Sequence, residues 1–376
     1  MKLTVDRAEL LAAAKRCALI APTLSTVEAL QCTLLETDSE QKRLYLTATN
    51  NEMSLRQSVK ILDGSDMEIS VAVKAALLSS MIGMLAGDTV TLAAEGESKL
   101  EVSCGSASYH VFVLDGAQYP KPEIPFPEDT IPVTGIPSMV RRCAFAARED
   151  ASAPLLRCIH LRFTKNGLVA VGSDGSCAVT AHGDKQSTGN IGFLVPADSL
   201  DKLARLCADR DVFSVGTTGK QLTFLRDGQI FSVRLMQGDY MDTDRIFGSL
   251  KNSFTVLSDA DQLRDALSSV LSVAADNRVR LSFSGDTLHL ECSGVHGTAS
   301  TAVGVIALNG APAGECWYMA DRLNRCLRAL GGSVMLGIAN GGLLTVSTDE
   351  AKYMQFPVRP AAAKKVEKTK KTKKAA

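Results

Sequence analysis

The feature that most constrains the fold is an internal repeat, in which three similar units follow one another at a period of about 120 residues. The helical stretch AAKRCALIA at 13–21 recurs as MVRRCAFAA at 139–147 and as LRDALSSVLSVA at 263–274. Each copy follows a short strand-like opening, which reads MKLTV, DTIPVTG or SFTVLS. The repeat therefore predicts three copies of one structural unit.

A second helix and two sets of strands complete each unit. The second helical stretches begin at Val71, Val195 and Tyr318 and read VAVKAALLSSMIGML, VPADSLDKLARLC and YMADRLNRCLRAL. Alternating apolar and polar residues with glycine-rich turns follow each of them, a pattern typical of antiparallel hairpins. Short polar residues at the helix starts are candidate caps. The predicted caps are Asp6, Ser138, and either Ser258 or Asp259.

These patterns predict an α+β fold of three repeated domains, each with two helices packed on antiparallel sheets. The turn-rich stretches LDGAQYPKPEIPFPEDT and GDYMDTDRIFGSLKN mark the domain boundaries. The predicted domains span 1–127, 128–251 and 252–360, and 361–376 is a lysine-rich tail. Because the tail has seven lysines and a single aliphatic residue larger than alanine, we expect it to be disordered. It either binds nucleic acid nonspecifically or aids solubility.

Composition argues against a membrane, secreted or metal-dependent protein. No apolar run approaches the roughly 18 residues of a membrane span, and the start MKLTVDRAELL lacks the layout of a signal peptide. We therefore expect a cytoplasmic protein. Ten cysteines are scattered from Cys17 to Cys326 without a C-x-x-C pair or a histidine at zinc spacing. They are expected to be small buried hydrophobes in a reducing compartment, with no metal and no cofactor.

The stretch VGSDGSCAVTAHG, beginning at Val171, raises the alternative of a catalytic turn. A nucleophile elbow needs a strand, Gly-x-Ser-x-Gly and then a helix, whereas a strand-like run follows Asp174 and Gly175. An enzyme that uses Cys177 or Asp174 is therefore the weaker alternative. The chain also lacks a phosphate loop and a carboxylate pair at readable spacing. We predict the tight turn of a structural hairpin.

In their order and spacing, MKLTV, VGSDG, GDYMDTDRIF and YMQFPVR resemble the bacterial DNA polymerase III beta subunit, the replicative sliding clamp, over about residues 1–360. The resemblance implies three DNA-clamp domains per chain and a head-to-tail homodimer that closes a ring around duplex DNA. It implies a non-catalytic processivity factor of DNA replication, without 3′–5′ exonuclease activity. The implied partners are double-stranded DNA of any sequence, the polymerase III catalytic subunit, the clamp loader and other proteins with clamp-binding motifs.

A ring that slides on DNA needs diffuse positive charge and no base readout. The repeat helices supply such charge, and 322, 325 and 328 share one helix face by their spacing. An ordinary solvated helix face remains the alternative for any one of these residues. The predicted DNA-facing residues are Lys15, Arg16, Arg141, Arg142, Lys202, Arg205, Arg264, Arg322, Arg325 and Arg328.

The resemblance also implies one peptide pocket per protomer and a dimer interface. Methionine and aliphatic linings suit a pocket that accepts several partners. The implied pocket residues are Leu156, Ser173, Gly175, Ser176, Cys177, Ala178, Met241, Ile246, Met354, Phe356, Pro357, Val358 and Arg359. The implied interface places Lys74, Tyr109 and Val111 of one protomer against Val270 and Leu271 of its partner.

Several positions depart from the family pattern. Ser176 and Cys177 stand where the family usually carries a His-Arg pair, Met241 replaces a proline, and Leu24 replaces an arginine that touches DNA. The lysine tail extends the chain beyond the usual end near Arg359. These changes leave the ring architecture in place and put the choice of partner motifs in question. A divergent clamp paralogue with altered partners is therefore a second interpretation.

Overall fold

The computed structural model describes most of the chain in two compact units. The described residues are 2–64, 66, 68–95, 98–124, 126–150, 152–183, 191–274, 276–294 and 297–360. The predicted disordered tail at 361–376 lies outside them. The first unit comprises Met1–Asp174 and Thr180–Met241, and the second comprises Gly175–Val179 and Asp242–Ala376.

The helices of the described residues confirm the repeated pattern of two helices in each of the three sequence repeats. Helix α1 packs against α2, α3 against α4, and α6 against α7. The short helix α5 lies in a stretch that the sequence predicted to be a linker. The helices are α1 Arg7–Ile20, α2 Ala75–Met84, α3 Ile136–Cys143, α4 Ala197–Leu206, α5 Thr243–Gly248, α6 Ala260–Leu271 and α7 Ala320–Leu330.

Strands make up most of the remaining structure. Those before residue 240 are β1 Leu3–Asp6, β2 Cys32–Asp38, β3 Arg43–Thr49, β4 Met53–Asp63, β5 Ser70–Lys74, β6 Thr89–Glu95, β7 Lys99–Cys104, β8 Ala107–Phe112, β9 Leu114–Asp115, β10 Ile131–Val133, β11 Cys158–Thr164, β12 Gly167–Ser173, β13 Cys177–His182, β14 Ile191–Pro196, β15 Phe213–Thr217, β16 Gln221–Arg226 and β17 Gln229–Arg234. Those that follow are β18 Thr255–Asp259, β19 Arg278–Ser284, β20 Thr287–Gly294, β21 Gly297–Gly304, β22 Ile306–Asn309, β23 Ala313–Met319, β24 Ser333–Ala339, β25 Leu343–Ser347 and β26 Ala351–Gln355.

The first unit contains one large sheet that joins the first two repeats. Its main path runs β10-β15-β16-β17-β4-β1-β6-β7-β8, and β2, β3, β5 and β9 branch from it. Strand β17 of the second repeat pairs antiparallel with β4 of the first, with Phe231 opposite Leu55. This pairing explains why the two repeats form one compact unit. Strands β14, β11 and β12 follow one another in the same unit.

The second unit has two antiparallel layers. One layer contains β26, β25, β24, β18 and β22, and the other has the order β21-β20-β19-β23. Phe254 and Phe283 pack with ring centroids 4.9 Å apart, and the buried Tyr318 donates its hydroxyl to the Gly342 carbonyl at 2.7 Å. A buried tyrosine with a hydrogen-bonded hydroxyl adds apolar area to the core without an unsatisfied polar group.

Apolar residues at helical spacing hold the first helix on the sheet. Helix α1 buries Leu10, Ala14 and Cys17 on one face. The buried Gln57 of β4 donates its side-chain amide to the Ala13 carbonyl at 2.6 Å. Because a buried amide without a partner would cost about 1–3 kcal/mol, this bond fixes both the helix and the strand.

The structure confirms two of the predicted caps and shows that the third is wrong. The Asp6 carboxylate accepts from the Glu9 amide at 2.8 Å, and the Asp259 carboxylate caps α6. Helix α3 instead begins after Gly135, whose φ of 69° is left-handed, and Ser138 lies inside the helix. The Ser138 hydroxyl donates to the Asp209 carboxylate at 2.6 Å, a partner distant in sequence that local pattern cannot indicate.

The predicted second helical stretches extend too far toward the N-terminus. Residues 71–74, 195–196 and 318–319 belong to strands β5, β14 and β23. Valine-rich starts favour strand over helix because β-branched side chains lose rotamer freedom in a helix. The openings MKLTV, DTIPVTG and SFTVLS form β1, β10 and β18, as predicted.

We expect Asp259→Ala to lower the free energy of unfolding by about 1 kcal/mol. The Asp259 carboxylate accepts from the Asp261 and Gln262 amides, both at 3.0 Å, and alanine leaves these donors without a protein partner. Urea unfolding followed by circular dichroism measures the change. Asp259→Asn keeps an acceptor and is the control. An alanine variant as stable as the asparagine variant would contradict the capping role.

Candidate functional site

The VGSDG stretch forms a turn between two strands. Strand β12 ends at Ser173, β13 begins at Cys177, and Gly175 between them has a φ of 88°. Glycine adopts this left-handed conformation without the steric cost of a Cβ atom. A strand follows the turn, so the strand-to-helix step of a nucleophile elbow is absent from this stretch.

The C-terminal YMQFPVR segment lies beside this turn in the second unit. The Phe356 amide donates to the Ser176 carbonyl at 3.0 Å. The Val358 amide donates to the Trp317 carbonyl at 2.7 Å. These bonds hold the backbone on both sides of Pro357, which itself has no amide hydrogen to donate. The segment is therefore a fixed surface of the second unit.

The predicted pocket residues of this surface form a buried layer and an accessible layer. Cys177, Ala178 and Met354 are at most 3% exposed, whereas Phe356 is 48% exposed. A bound peptide would contact the Phe356 ring, and the buried residues would support it from beneath. The accessible or half-buried members are Gly175, Ser176, Phe356, Pro357, Val358 and Arg359.

The other four predicted pocket residues divide between the two units. Leu156, Ser173 and Met241 belong to the first unit, and Ile246 lies on α5 of the second. Leu156 is half-buried, and its carbonyl accepts from the Arg148 amide at 2.8 Å. Ser173 is 2% exposed, whereas Met241 and Ile246 are half-buried. Their place in a common pocket remains a prediction.

The ten predicted DNA-facing residues all lie on α1, α3, α4, α6 and α7. Helix α7 shows the pattern most clearly, because it buries Ala320, Leu323, Cys326 and Leu327 and leaves its arginines on the other side. The exposed members are Lys15, Arg141, Arg205 and Arg328, and the half-buried members are Arg16, Arg142, Lys202, Arg264, Arg322 and Arg325.

Several of these cations form ion pairs with nearby aspartates within the described residues. Such surface pairs reduce the net charge of the helix face and contribute little to stability. The positive field is therefore more dilute than a count of lysine and arginine indicates. The pairs are Arg141–Asp209 at 3.6 Å, Arg205–Asp201 at 2.7 Å, Arg264–Asp261 at 2.8 Å and Arg325–Asp321 at 3.2 Å.

Arg16 also has a structural environment. Its Nη1 donates to the Gln57 side-chain oxygen at 3.5 Å. Burial lowers the pKa of the Arg16 guanidinium, and the nearby positive charge of Arg226 acts in the same direction. Part of this side chain packs α1 against β4, which the sequence did not indicate.

The predicted interface residues differ in their accessibility. Val270 is 1% exposed within its own unit, so a contact with another chain there would fall on the half-buried Leu271. Lys74 is exposed and pairs with Glu28 at 3.2 Å. Tyr109 and Val111 lie half-buried on β8. Val270 is therefore better described as a core residue of the second unit.

Two strands at sheet edges expose apolar side chains that the sequence analysis missed. In the described part of the first unit, β8 ends the sheet, and its Phe112 is 81% exposed. In the described part of the second unit, β22 ends a layer, with Ile306 64% and Leu308 51% exposed. An exposed apolar edge strand is a site of strand addition by another chain. The available signal was the presence of large apolar residues in a short strand, Ile306 and Leu308 on β22 and Phe112 at the end of β8.

Seven of the ten cysteines are buried as predicted, whereas Cys104, Cys207 and Cys316 are half-buried. All ten are free thiols. Burial raises the pKa of the Cys17 and Cys207 thiols to about 12, and of the Cys158 and Cys292 thiols to about 11. A thiol that stays protonated is a poor nucleophile and a poor metal ligand. Within the described residues, no three His, Cys, Asp or Glu side chains gather as a metal-ion site would require.

Among the described helices, none combines the length and the apolar character that a bilayer-spanning segment requires.

Comparison with known proteins identifies this arrangement. The N-terminal domain model of the DNA polymerase III beta subunit matches residues 1–124, and the central domain model matches residues 130–242. The beta sliding clamp of Streptomyces coelicolor is 28% identical over 301 residues, which cover 77% of this chain and 78% of that protein.

Solved structures share the fold at lower sequence identity. The DNA polymerase III beta subunit of Thermotoga maritima superimposes with a TM-score of 0.86 at 18% identity, covering 96% of this chain and all of that one. The corresponding subunit of Pseudomonas aeruginosa gives 0.85 at 21% identity, with the same coverage of each chain.

Repeated helix pairs on antiparallel sheets, together with these matches, define a DNA sliding clamp, a processivity factor of replication that is not an enzyme. The two domain models together cover more than half of the chain. The chain belongs to the DNA polymerase III beta subunit family, as a divergent member. The family and the α+β fold predicted from the sequence are therefore confirmed, and the alternative of an enzyme that uses Cys177 or Asp174 is not retained.

Proposed function

We propose that two copies of this chain assemble head to tail into a closed ring around duplex DNA. The observation that carries the proposal is the placement of basic residues on α1, α3, α4, α6 and α7, the helices that recur in the three repeats. A ring with this charge holds a polyanion without reading its sequence. Its mechanism is topological, because a closed ring leaves a long duplex only by opening or by sliding off an end.

The ring would close through the exposed edge strand β8 of each protomer. Strand β8 of one protomer would meet the second unit of the partner, so that Tyr109 and Val111 contact Leu271 there. Desolvated apolar residues at the centre of an interface supply most of its stability. The exposed Phe112 supports this proposal, because it lies on the unpaired edge strand β8.

We further propose three clamp domains, with boundaries at 1–127, 128–251 and 252–360, and a cytoplasmic location. The C-terminal surface around Phe356 would bind clamp-binding motifs of the polymerase III catalytic subunit, the clamp loader and other proteins. Ser176 is exposed and Cys177 buried in this surface, where relatives usually carry a His-Arg pair. Because these two side chains are smaller and neutral, they favour a divergent clamp that prefers different partner motifs.

Native mass spectrometry with and without a clamp-binding-motif peptide tests the proposal. We expect a dimer that takes up one peptide per protomer. A monomer at micromolar concentration would contradict the ring. A dimer without bound peptide would contradict only the proposed peptide-binding surface around Phe356.

We expect deletion of 361–376 to flatten the salt dependence of binding to linear duplex DNA. The seven lysines of this segment would neutralise several phosphates, and each released counterion steepens the dependence on salt. Fluorescence anisotropy from low to physiological salt measures the slope, and light scattering checks that the oligomeric state is unchanged. An unchanged slope would leave solubility as the role of the tail.

A further inference from the structure

A second groove crosses four neighbouring strands of the first unit. Arg56 of β4 lies opposite Ile230 of β17, and Ile230 lies opposite Leu225 of β16. Directly paired residues point to the same face of a sheet, so these three side chains form one row. All three are half-buried. The groove has a cavity of about 600 Å³, and we call it the Arg56 groove.

An aromatic side chain from the chain between the first two repeats forms one wall. Phe126 lines the Arg56 groove and is 67% exposed. Together with Ile230 and Leu225, it supplies an apolar surface in reach of solvent. A large exposed aromatic beside a concave apolar floor is a typical anchor point for a binding partner.

The end of the groove on β3 and β4 is basic. The Arg56 guanidinium lies 4.1 Å from the centroid of the Tyr45 ring, and the Tyr45 hydroxyl donates to the Gln41 side chain at 2.7 Å. The exposed Arg43 is two residues before Tyr45 on the same strand and lines the same groove. Stacking on an aromatic ring pre-orients the planar fork with which arginine binds carboxylates.

Within the described residues, neither of these two arginines has a carboxylate at salt-bridge distance. The buried Arg56 Nε–H also lacks a hydrogen-bond acceptor there. The neighbouring Arg226 differs, because it is paired with Asp211 and also donates to Gln229 at 2.8 Å. Unpaired basic groups beside an apolar floor indicate a surface prepared for an acidic partner.

We propose that the Arg56 groove is a second protein-docking site, which binds an acidic linear segment with an apolar anchor. The carboxylates would bind Arg43 and Arg56, and the anchor would lie on Ile230 and Leu225 against Phe126. The groove fits single-stranded nucleic acid less well, because that ligand needs successive free aromatic faces and a continuous cationic track. Here Arg56 covers a face of Tyr45, so this ring does not offer that face for a base to stack on.

This site is separate in sequence from the surface around Phe356 and does not depend on the proposed ring. The test uses the full chain and a fluorescein-labelled peptide with a Leu-Phe centre flanked by Asp and Glu. We expect saturable anisotropy that weakens as salt rises, because the contacts are charge-assisted. The double variant Arg43→Ala/Arg56→Ala should weaken binding tenfold or more, and Phe126→Ala threefold or more.

Matched variants distinguish the groove from general charge effects. Lys220→Ala removes one positive charge from an exposed turn of the same unit, and Phe356→Ala removes an exposed ring from the C-terminal surface. Both should bind the acidic peptide as the wild type does. Arg43→Ala and Phe126→Ala alter exposed side chains, so they keep the test valid should the Arg56 change disturb folding.

Three results would overturn the proposal. The first is the lack of saturable binding by the wild type. The second is binding that is unaffected by Arg43→Ala and Phe126→Ala, or that is lost in Phe356→Ala. The third is displacement of the peptide by a short oligothymidylate that binds more tightly and depends on the same arginines, which would make the groove a nucleic-acid site.

Discussion

Phe356→Ala is expected to weaken the binding of a clamp-binding-motif peptide by tenfold or more. Phe356 is the large apolar side chain of the C-terminal surface that solvent reaches, and its backbone is fixed by the bond to Ser176. Loss of a well-packed aromatic anchor costs about 2 kcal/mol or more, which exceeds the 1.4 kcal/mol of a tenfold change. Fluorescence anisotropy with a labelled peptide measures the affinity.

The control variants distinguish residues that contact the peptide from residues that do not. Phe126→Ala removes an even more exposed ring from the first unit and should leave this peptide's affinity unchanged. Cys177→Ser should change it little, because serine has nearly the same size and shape as the cysteine that it replaces. Met354→Ala and Leu156→Ala should each weaken the peptide by tenfold or more if both line one pocket. Peptide binding that is unaffected by the Phe356, Leu156 and Met354 substitutions would refute the proposed peptide-binding surface around Phe356.

Leu271→Asp should convert the dimer into monomers at micromolar concentration. The half-buried Leu271 ends α6, and a carboxylate at the centre of an apolar interface would be desolvated without a partner. Light scattering gives the mass. Val270 is left unchanged in this design because it is buried in its own unit, and its truncation would destabilise the fold.

Leu62→Asp provides the matched control for this experiment. Leu62 is 52% exposed at the end of β4 and lies outside the proposed interface. It should remain dimeric and as stable as the wild type in thermal unfolding. A dimer of unchanged affinity in Leu271→Asp would show that the ring closes elsewhere, or that no ring forms.

Local sequence signals predicted the elements that depend on near neighbours. Asp6 and Asp259 cap helices because their carboxylates reach amides two or three residues away, a relation that spacing reveals. Ser138 looked like an equivalent cap, but Asp209, 71 residues away in sequence, binds its hydroxyl. Local sequence pattern therefore identifies the caps at Asp6 and Asp259, whereas the role of Ser138 depends on tertiary structure.

Charge and apolarity were harder to assign to surfaces. The sequence placed Arg16 and Val270 in contact with DNA and with a partner, yet Arg16 is half-buried and Val270 fully buried. Several arginines gain aspartate partners within the described residues, although a count of charges treats them as independent. Helical periodicity indicates which face is polar, but it does not indicate what each polar group contacts.

The Arg56 groove lay beyond sequence reasoning for a different reason. Its members come from β3, β4, β16, β17 and the chain around Phe126, and only the sheet register makes them neighbours. The alternation of Arg43 and Tyr45 on β3 predicts a shared face of the strand, but not the Arg56 side chain above it.

Retention on circular DNA tests the central claim, that this chain is a ring held by topology. The protein is loaded by its cognate clamp loader and ATP onto a nicked circular plasmid, and the complex is isolated by gel filtration at high salt. The account predicts that the protein stays on the circle and is released when a restriction enzyme linearises it. Equal retention on circular and linear DNA, or release from both at high salt, would contradict a closed ring.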